Sequence, residues 1–286
     1  MLVPANEGQE MPQSMVSDRL SRRVFLGVSA MLFVASAAVT IVWSASMSTM
    51  GEMPMPGGWT MSMAWMRMCG QTWPHAAASF IGMWVAMMVA MMLPSLAPML
   101  WQYRQAVGRT GGTGPGWMTA LVGIGYFTVW AVFGMAVFAL GSALAALEMR
   151  MPALARTVPI VSGVVVLIAG ALQFTAWKAH HLACCRVTPG HVCRVQASQA
   201  LQVLRTDTGT AWRHGLRLGL HCSTCCAGLT AVLLVIGVMD LRAMAAVTAV
   251  ITVERLAPEG ERVARAVGAL VVVAGLVMLV RAMGLG

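Results

Sequence analysis

From Val24 to Trp43, from Ala76 to Trp101 and again from Trp117 to Leu147, the chain runs without one charged side chain. A hydrocarbon core about 30 Å thick takes roughly 20 apolar residues per helix, and within it every backbone polar group needs an internal partner. Runs of this length point to helices that cross a bilayer. Composition agrees, because only 10% of the 286 residues are charged, where a soluble domain carries about 25%. The mean hydropathy is +0.75. The sequence predicts an all-α, polytopic bundle of about seven transmembrane helices, near 24–43, 77–101, 117–147, 158–178, 215–239, 243–256 and 265–283. The sixth is short, and is open to being tilted or re-entrant.

Residues 1–18 read as a disordered polar tail, and 19–286 as a single transmembrane domain. A methionine-rich segment at 46–75 falls outside the membrane, and a basic connection at about 179–213 falls in the cytoplasm. With a cytoplasmic N-terminus, 14 of the 19 Lys and Arg residues lie on inner segments and five on outer ones, the asymmetry of the positive-inside rule. Ser21-Arg22-Arg23-Val24-Phe25-Leu26 is similar to a twin-arginine export signal. The apolar run behind it exceeds a signal's usual 7–15 residues, which favours a first helix with a positive cytoplasmic flank. No basic run interleaved with aromatics suggests nucleic acid. No phosphate loop, nucleophile elbow or zincin motif occurs, so energy coupling by ATP hydrolysis is not expected, and no catalytic residue is assigned.

Sulfur carries the chemistry. Five of the seven cysteines fall in two short clusters, Lys178-Ala-His180-His181-Leu-Ala-Cys184-Cys185 and His221-Cys222-Ser-Thr-Cys225-Cys226. On helices, His181 and Cys185, and Cys222 with Cys225 or Cys226, share a face. Both clusters belong near the cytoplasmic ends of adjacent antiparallel helices, where thiols stay reduced. Thiolate and imidazole donors in a low-dielectric site favour Cu(I), with Zn(II) as the other candidate. The expected ligands are His181, Cys184, Cys185, Cys222, Cys225 and Cys226. Cys193 and His191 are weaker candidates, and buried packing is the plain alternative.

Methionine is the second anomaly, at 26 residues. Met47, Met50, Met53, Met55, Met61, Met63, Met66 and Met68 crowd the outer segment, with Cys69 and His75 after them. Thioether sulfur suits Cu(I) without deprotonation, so Met53, Met55 and their neighbours read either as a capture site or as flexible apolar filler. Met83, Met87 and Met91, flanked by Met88 and Met92, form a stripe that reads first as helix-packing surface, and second, because it descends from that segment, as a path for a soft metal. Glu254, near the inner end of the sixth helix, is costly inside a membrane and is expected either to pair with Lys178, bind a proton or ligate, or simply to sit at the interface beside Arg255. Gly215-x-x-x-Gly219 permits close helix approach.

These pieces resemble a family known as predicted metal-binding integral membrane proteins (domain of unknown function 2182). The resemblance rests on the run from Met83-Trp84-Val85-Ala86-Met87-Met88 to Pro98-Met99, on Gly125-Tyr126-Phe127-Thr128-Val129-Trp130 and on Gln173-Phe-Thr175-Ala-Trp-Lys178. The helix-four cysteines, Gly219-Leu-His-Cys222-Ser-Thr-Cys225-Cys226 and Glu254-Arg-Leu-Ala-Pro258 complete it. It covers roughly residues 20–280. The resemblance implies a multi-pass protein of the bacterial inner membrane that binds metal through these cysteines. His181 stands where the family has a cysteine, and Ala227 where it has a tryptophan. The expectation is a protein that handles or transports a soft metal, copper favoured, with a metal-delivering or metal-receiving protein as candidate partner. A membrane thiol-disulfide oxidoreductase and a non-catalytic subunit of a membrane complex are the alternatives.

Overall fold

Apolar helices with small residues on their contact faces can pack backbone to backbone, and this chain is assembled that way. The computed structural model describes residues 11–48, 51, 53–56, 58–67, 70–109, 114–185 and 207–284, apart from the side chains of 11–18, 48 and 184. In chain order these form α1 (Met11–Ser48), a two-stranded hairpin of β1 (Met53–Met55) and β2 (Trp59–Met61), a short 3-10 turn (Met63–Trp65), α2 (Trp73–Arg109) and α3 (Pro115–Arg150). Then come α4 (Pro152–Ala155), α5 (Val158–Leu172), α6 (Ala176–Cys185), α7 (Thr208–Ile236), α8 (Leu241–Leu256) and α9 (Gly260–Ala282). Among the described residues the architecture is helical apart from that hairpin.

Among the described residues, five helices are long and apolar enough to cross a membrane: Arg19–Met47 within α1, then α2, α3, α7 and α9. The expected fourth helix is broken. α5 and α6 meet at 64° and would make a sixth crossing if they act as one span. α8, at 16 residues, is about 24 Å long and short of the hydrocarbon thickness. α1 begins at Met11 and takes in part of the segment expected to be a disordered tail. Extending an existing helix fixes one residue per new hydrogen bond, and Pro12 in the first turn loses nothing by lacking an N–H.

α7 lies against α3 along a glycine seam. A Cβ on Gly219 would fall 2.8 Å from the Tyr126 carbonyl, and one on Gly215 would strike that of Val122. The sequence motif is therefore used for close approach, with α3 as the partner. α5 and α9 pack by the same device, where a Cβ on Gly170 would sit 2.8 Å from the Val272 backbone nitrogen. The core against α2 holds Trp84, Trp130 and Tyr126 fully buried. The indole Nε1–H of Trp84 donates to the Trp130 carbonyl at 3.0 Å, which satisfies its one polar atom.

Candidate metal centre

α6 turns one buried face toward α7, made by Lys178, Leu182 and Cys185 at i, i+4 and i+7. α7 answers with Cys222, Cys225 and Cys226 at i, i+3 and i+4, all buried and all free thiols. Cys185 interacts with Cys225, Cys225 with Cys226 and Cys226 with Cys222. These pairings form a row from α6 across α7. At its far end the Cys222 thiol lies 4.0 Å from Met92 Sδ and 2.7 Å from the Tyr126 hydroxyl.

α8 brings the charges. Glu254 Oε2 binds Lys178 Nζ at 2.8 Å with both side chains at most 4% exposed, and Lys178 also donates to the Cys225 carbonyl at 3.0 Å. Next in sequence, Arg255 donates through Nη2 to Cys222 Sγ at 2.7 Å and to Cys226 Sγ at 3.4 Å. Its Nη1 reaches the Ser95 hydroxyl of α2 at 3.1 Å. Among the described residues no carboxylate pairs with Arg255, and its Nε, like Glu254 Oε1, is buried with no hydrogen-bond partner. A fully buried guanidinium is costly unless negative charge lies beside it, and sulfur is what lies beside this one.

The structure thus brings Cys185, Cys222, Cys225 and Cys226 together, and fulfils the expected pairing of Lys178 with Glu254. It directs His181 elsewhere. The His181 Nδ1 lies 3.5 Å from His221 Nδ1 and 3.3 Å from the Thr224 hydroxyl, on a half-buried patch. The Cys184 side chain, and Cys69, His191 and Cys193, lie outside the described residues. Met53 and Met55 sit on β1. Met55 packs with Met61 against Ala145 and Ala155, in an apolar cluster separate from the one that holds the thiols. Among the described residues no three His, Cys, Asp or Glu side chains are grouped so as to enclose a metal ion. The thiols interact in successive pairs along the row.

Three participants were not among the expected site residues: Arg255, Tyr126 and Met92. A basic residue beside Glu254 in an otherwise apolar helix was the available signal for the first. The other two were visible only as members of motifs on α3 and α2. Chemically, the arrangement offers pairs of soft sulfur donors, one thioether and one uncompensated cation, closed off from water.

A family model described as PpoB2, copper chaperone, matches residues 81–278, more than two thirds of the chain. No curated protein and no solved structure matches it.

Proposed function

The chain belongs to the copper-chaperone family PpoB2, and from that premise we propose that it is a membrane-embedded carrier of Cu(I), with the ion held on the thiol row of α6 and α7. The observation that carries this reading is Arg255 against Cys222 and Cys226. Cu(I) is a soft ion that accepts few ligands, and thiolate and thioether donors select it. When Cu(I) binds between Cys222 and Cys226, both thiols release their protons and the complex carries one net negative charge. Arg255 supplies the matching positive charge, while Lys178 and Glu254 cancel each other. Met92 offers a neutral third donor beside Cys222. Zn(II) prefers four donors around a tetrahedron, and a line of paired sulfurs serves it poorly.

The same row provides for transfer. Each thiol interacts with the next, so an ion would move by exchanging one ligand at a time between Cys222 and Cys185. The cysteine cluster at the α6 end would face the cytoplasmic side, and a metal-receiving protein would collect the ion there. Membrane insertion is supported by large apolar side chains that point outward from the bundle, such as Leu270, Val42 and Val132, each at least 66% exposed. A basic excess on the expected inner segments supports a cytoplasmic N-terminus in a bacterial inner membrane. The oxidoreductase alternative fits less well, because reactive cysteines sit in partly exposed surroundings and these thiols are at most 3% exposed.

The test is a competition titration with a chromophoric Cu(I) chelator on detergent-purified full chain, wild type against Cys222→Ser/Cys226→Ser. Wild type withholds copper from the chelator and the double variant surrenders it. Equal retention by both proteins would remove the thiol row from the mechanism.

A further inference from the structure

On the other side of the bundle, thioethers from separate pieces of the chain meet around one cavity. It measures about 50 Å³, and its lining includes Met47, Met63, Met66, Met83 and Met239. Met47 comes from the last turns of α1, Met63 and Met66 from the 3-10 turn behind the hairpin, Met83 from α2 and Met239 from the connection between α7 and α8. The rest of the lining is Trp43, Ala64, Gln71, Ala76, Ser79 and Phe80, with no carboxylate, imidazole, ammonium or thiol among them.

We propose that this cavity is a second, all-thioether site for Cu(I), from which the methionine stripe of α2 leads to the thiol row. Three observations carry it. Methionine is flexible and fills gaps, yet here five methionines surround a space large enough for an ion and are not collapsed into it. Four of the five are only half-buried, so a soft ion can enter, while Met83 is buried and faces inward. From Met83 the buried methionines of α2 follow as Met87, Met88, Met91 and Met92, all at most 3% exposed, and Met92 Sδ lies 4.0 Å from Cys222 Sγ. Nine residues of helix separate Met83 from Met92, a climb of about 14 Å.

The cavity is built to hold its shape. The Ser44 hydroxyl on α1 donates to the Met239 carbonyl at 2.7 Å, which ties the α7–α8 connection to the turn just before Met47. Ser62 caps the 3-10 turn by accepting from the Ala64 amide at 3.3 Å, and Met66 closes it by donating its N–H to the Met63 carbonyl at 3.1 Å. A thioether-only site releases no proton when it binds and leaves the ion's single positive charge to the water that its half-buried rim admits, and it discriminates against Zn(II) and other borderline or hard cations by donor softness.

The proposal rests on the copper reading for the identity of the ion, and the test separates the two. Ag(I), a redox-inert stand-in for Cu(I), is titrated into full chain in detergent: wild type, Cys185→Ser/Cys222→Ser/Cys225→Ser/Cys226→Ser, and Met63→Leu/Met66→Leu/Met239→Leu in each background. Met to Leu conserves volume and is well tolerated. The cysteine-free protein should keep a weaker class of Ag(I) binding whose affinity the methionine substitutions lower about tenfold or more. If the methionine variant folds and binds Ag(I) unchanged, this site does not exist. If the cysteine substitutions change nothing while the methionine ones do, the thiol reading fails and this one stands. Should the variant not fold, 13C-methyl NMR of wild-type methionines decides. Met47, Met63, Met66 and Met239 shift with Ag(I) and stay in place with Zn(II), and no shift with Ag(I) overturns the proposal.

Discussion

Two sulfur-lined regions of this molecule solve the problem of holding a soft donor by opposite means. The thiol row is closed and charged. Arg255 stands against Cys222 and Cys226, and the Lys178–Glu254 pair is buried beside Cys225. The methionine cavity is half open and has no ionisable side chain in its lining. The difference follows from the donor. A thiol must lose a proton before it binds metal well, so it needs a positive neighbour. A thioether binds as it stands, so it needs only placement. The charged apparatus of α6 and α8 therefore belongs to one site and is dispensable at the other.

The largest effect should come from leaving that apparatus half built. Glu254→Gln strands Lys178 in the bundle interior. Breaking a buried pair by removing one partner costs about 3–5 kcal/mol, read as a lower midpoint of thermal unfolding in detergent. Lys178→Met/Glu254→Leu removes both charges and should recover most of that loss. A single variant no less stable than the double would mean that the pair is not buried as described.

Arg255→Met tests charge complementarity directly. It should weaken Cu(I) at the thiol row by about tenfold, or 1.4 kcal/mol, and leave Ag(I) binding at the methionine cavity unchanged. Acidification should make the same distinction in unmodified protein. Cu(I) held by thiols competes with protons, so its affinity falls as pH falls, whereas thioether binding stays level. Parallel pH profiles for the two classes of binding would erase the contrast between the regions.

Much of this was legible in the sequence, and what was not has specific causes. Uninterrupted apolar runs announced α1, α2, α3, α7 and α9, and Gly215 and Gly219 announced a tight seam. The cysteine spacing on α7 placed Cys222, Cys225 and Cys226 on one face. The break after Leu172 was hidden, because the apolar run continues from Val158 to Trp177 without a helix-breaking glycine or proline at the bend. There the Gln173, Phe174 and Thr175 amides bond back three residues instead of four, and the Thr175 hydroxyl also takes the Leu172 carbonyl at 2.7 Å. His181 and Cys185 share a face only loosely, since four residues overshoot a full turn by about 40°, while seven fall short of two turns by about 20°. Hence Lys178 and Cys185 point into the site together and His181 looks toward His221. Arg255 was obscured by its place near a helix end, where a basic side chain ordinarily reaches outward to the interface.

Tyr126→Phe should act more gently and on one region alone. Its hydroxyl is 2.7 Å from Cys222 Sγ, and the loss of one such hydrogen bond is worth about 1 kcal/mol. Cu(I) affinity at the row should fall about fivefold with the fold intact. A fall as large as that for Arg255→Met would place the phenol, and not the guanidinium, as the main partner of the bound sulfur.

The smallest effect belongs to the hairpin that precedes the turn carrying Met63 and Met66. Trp59 donates its indole N–H to the Ala155 carbonyl at 2.9 Å, which pins β2 to the end of α4. Trp65, two residues beyond Met63, packs at a tilt against Phe80 of α2 with ring centroids 5.4 Å apart. With that second anchor in place, Trp59→Phe removes one hydrogen bond worth about 1 kcal/mol and loosens the hairpin without releasing the turn that carries Met63 and Met66. Faster amide exchange at Met53–Met61 is expected, together with less than about a threefold change in Ag(I) affinity and no change in thiol-bound Cu(I). If exchange quickens and Ag(I) binding collapses, the cavity depends on the whole outer cap, and its sulfurs are not held by the 3-10 turn alone.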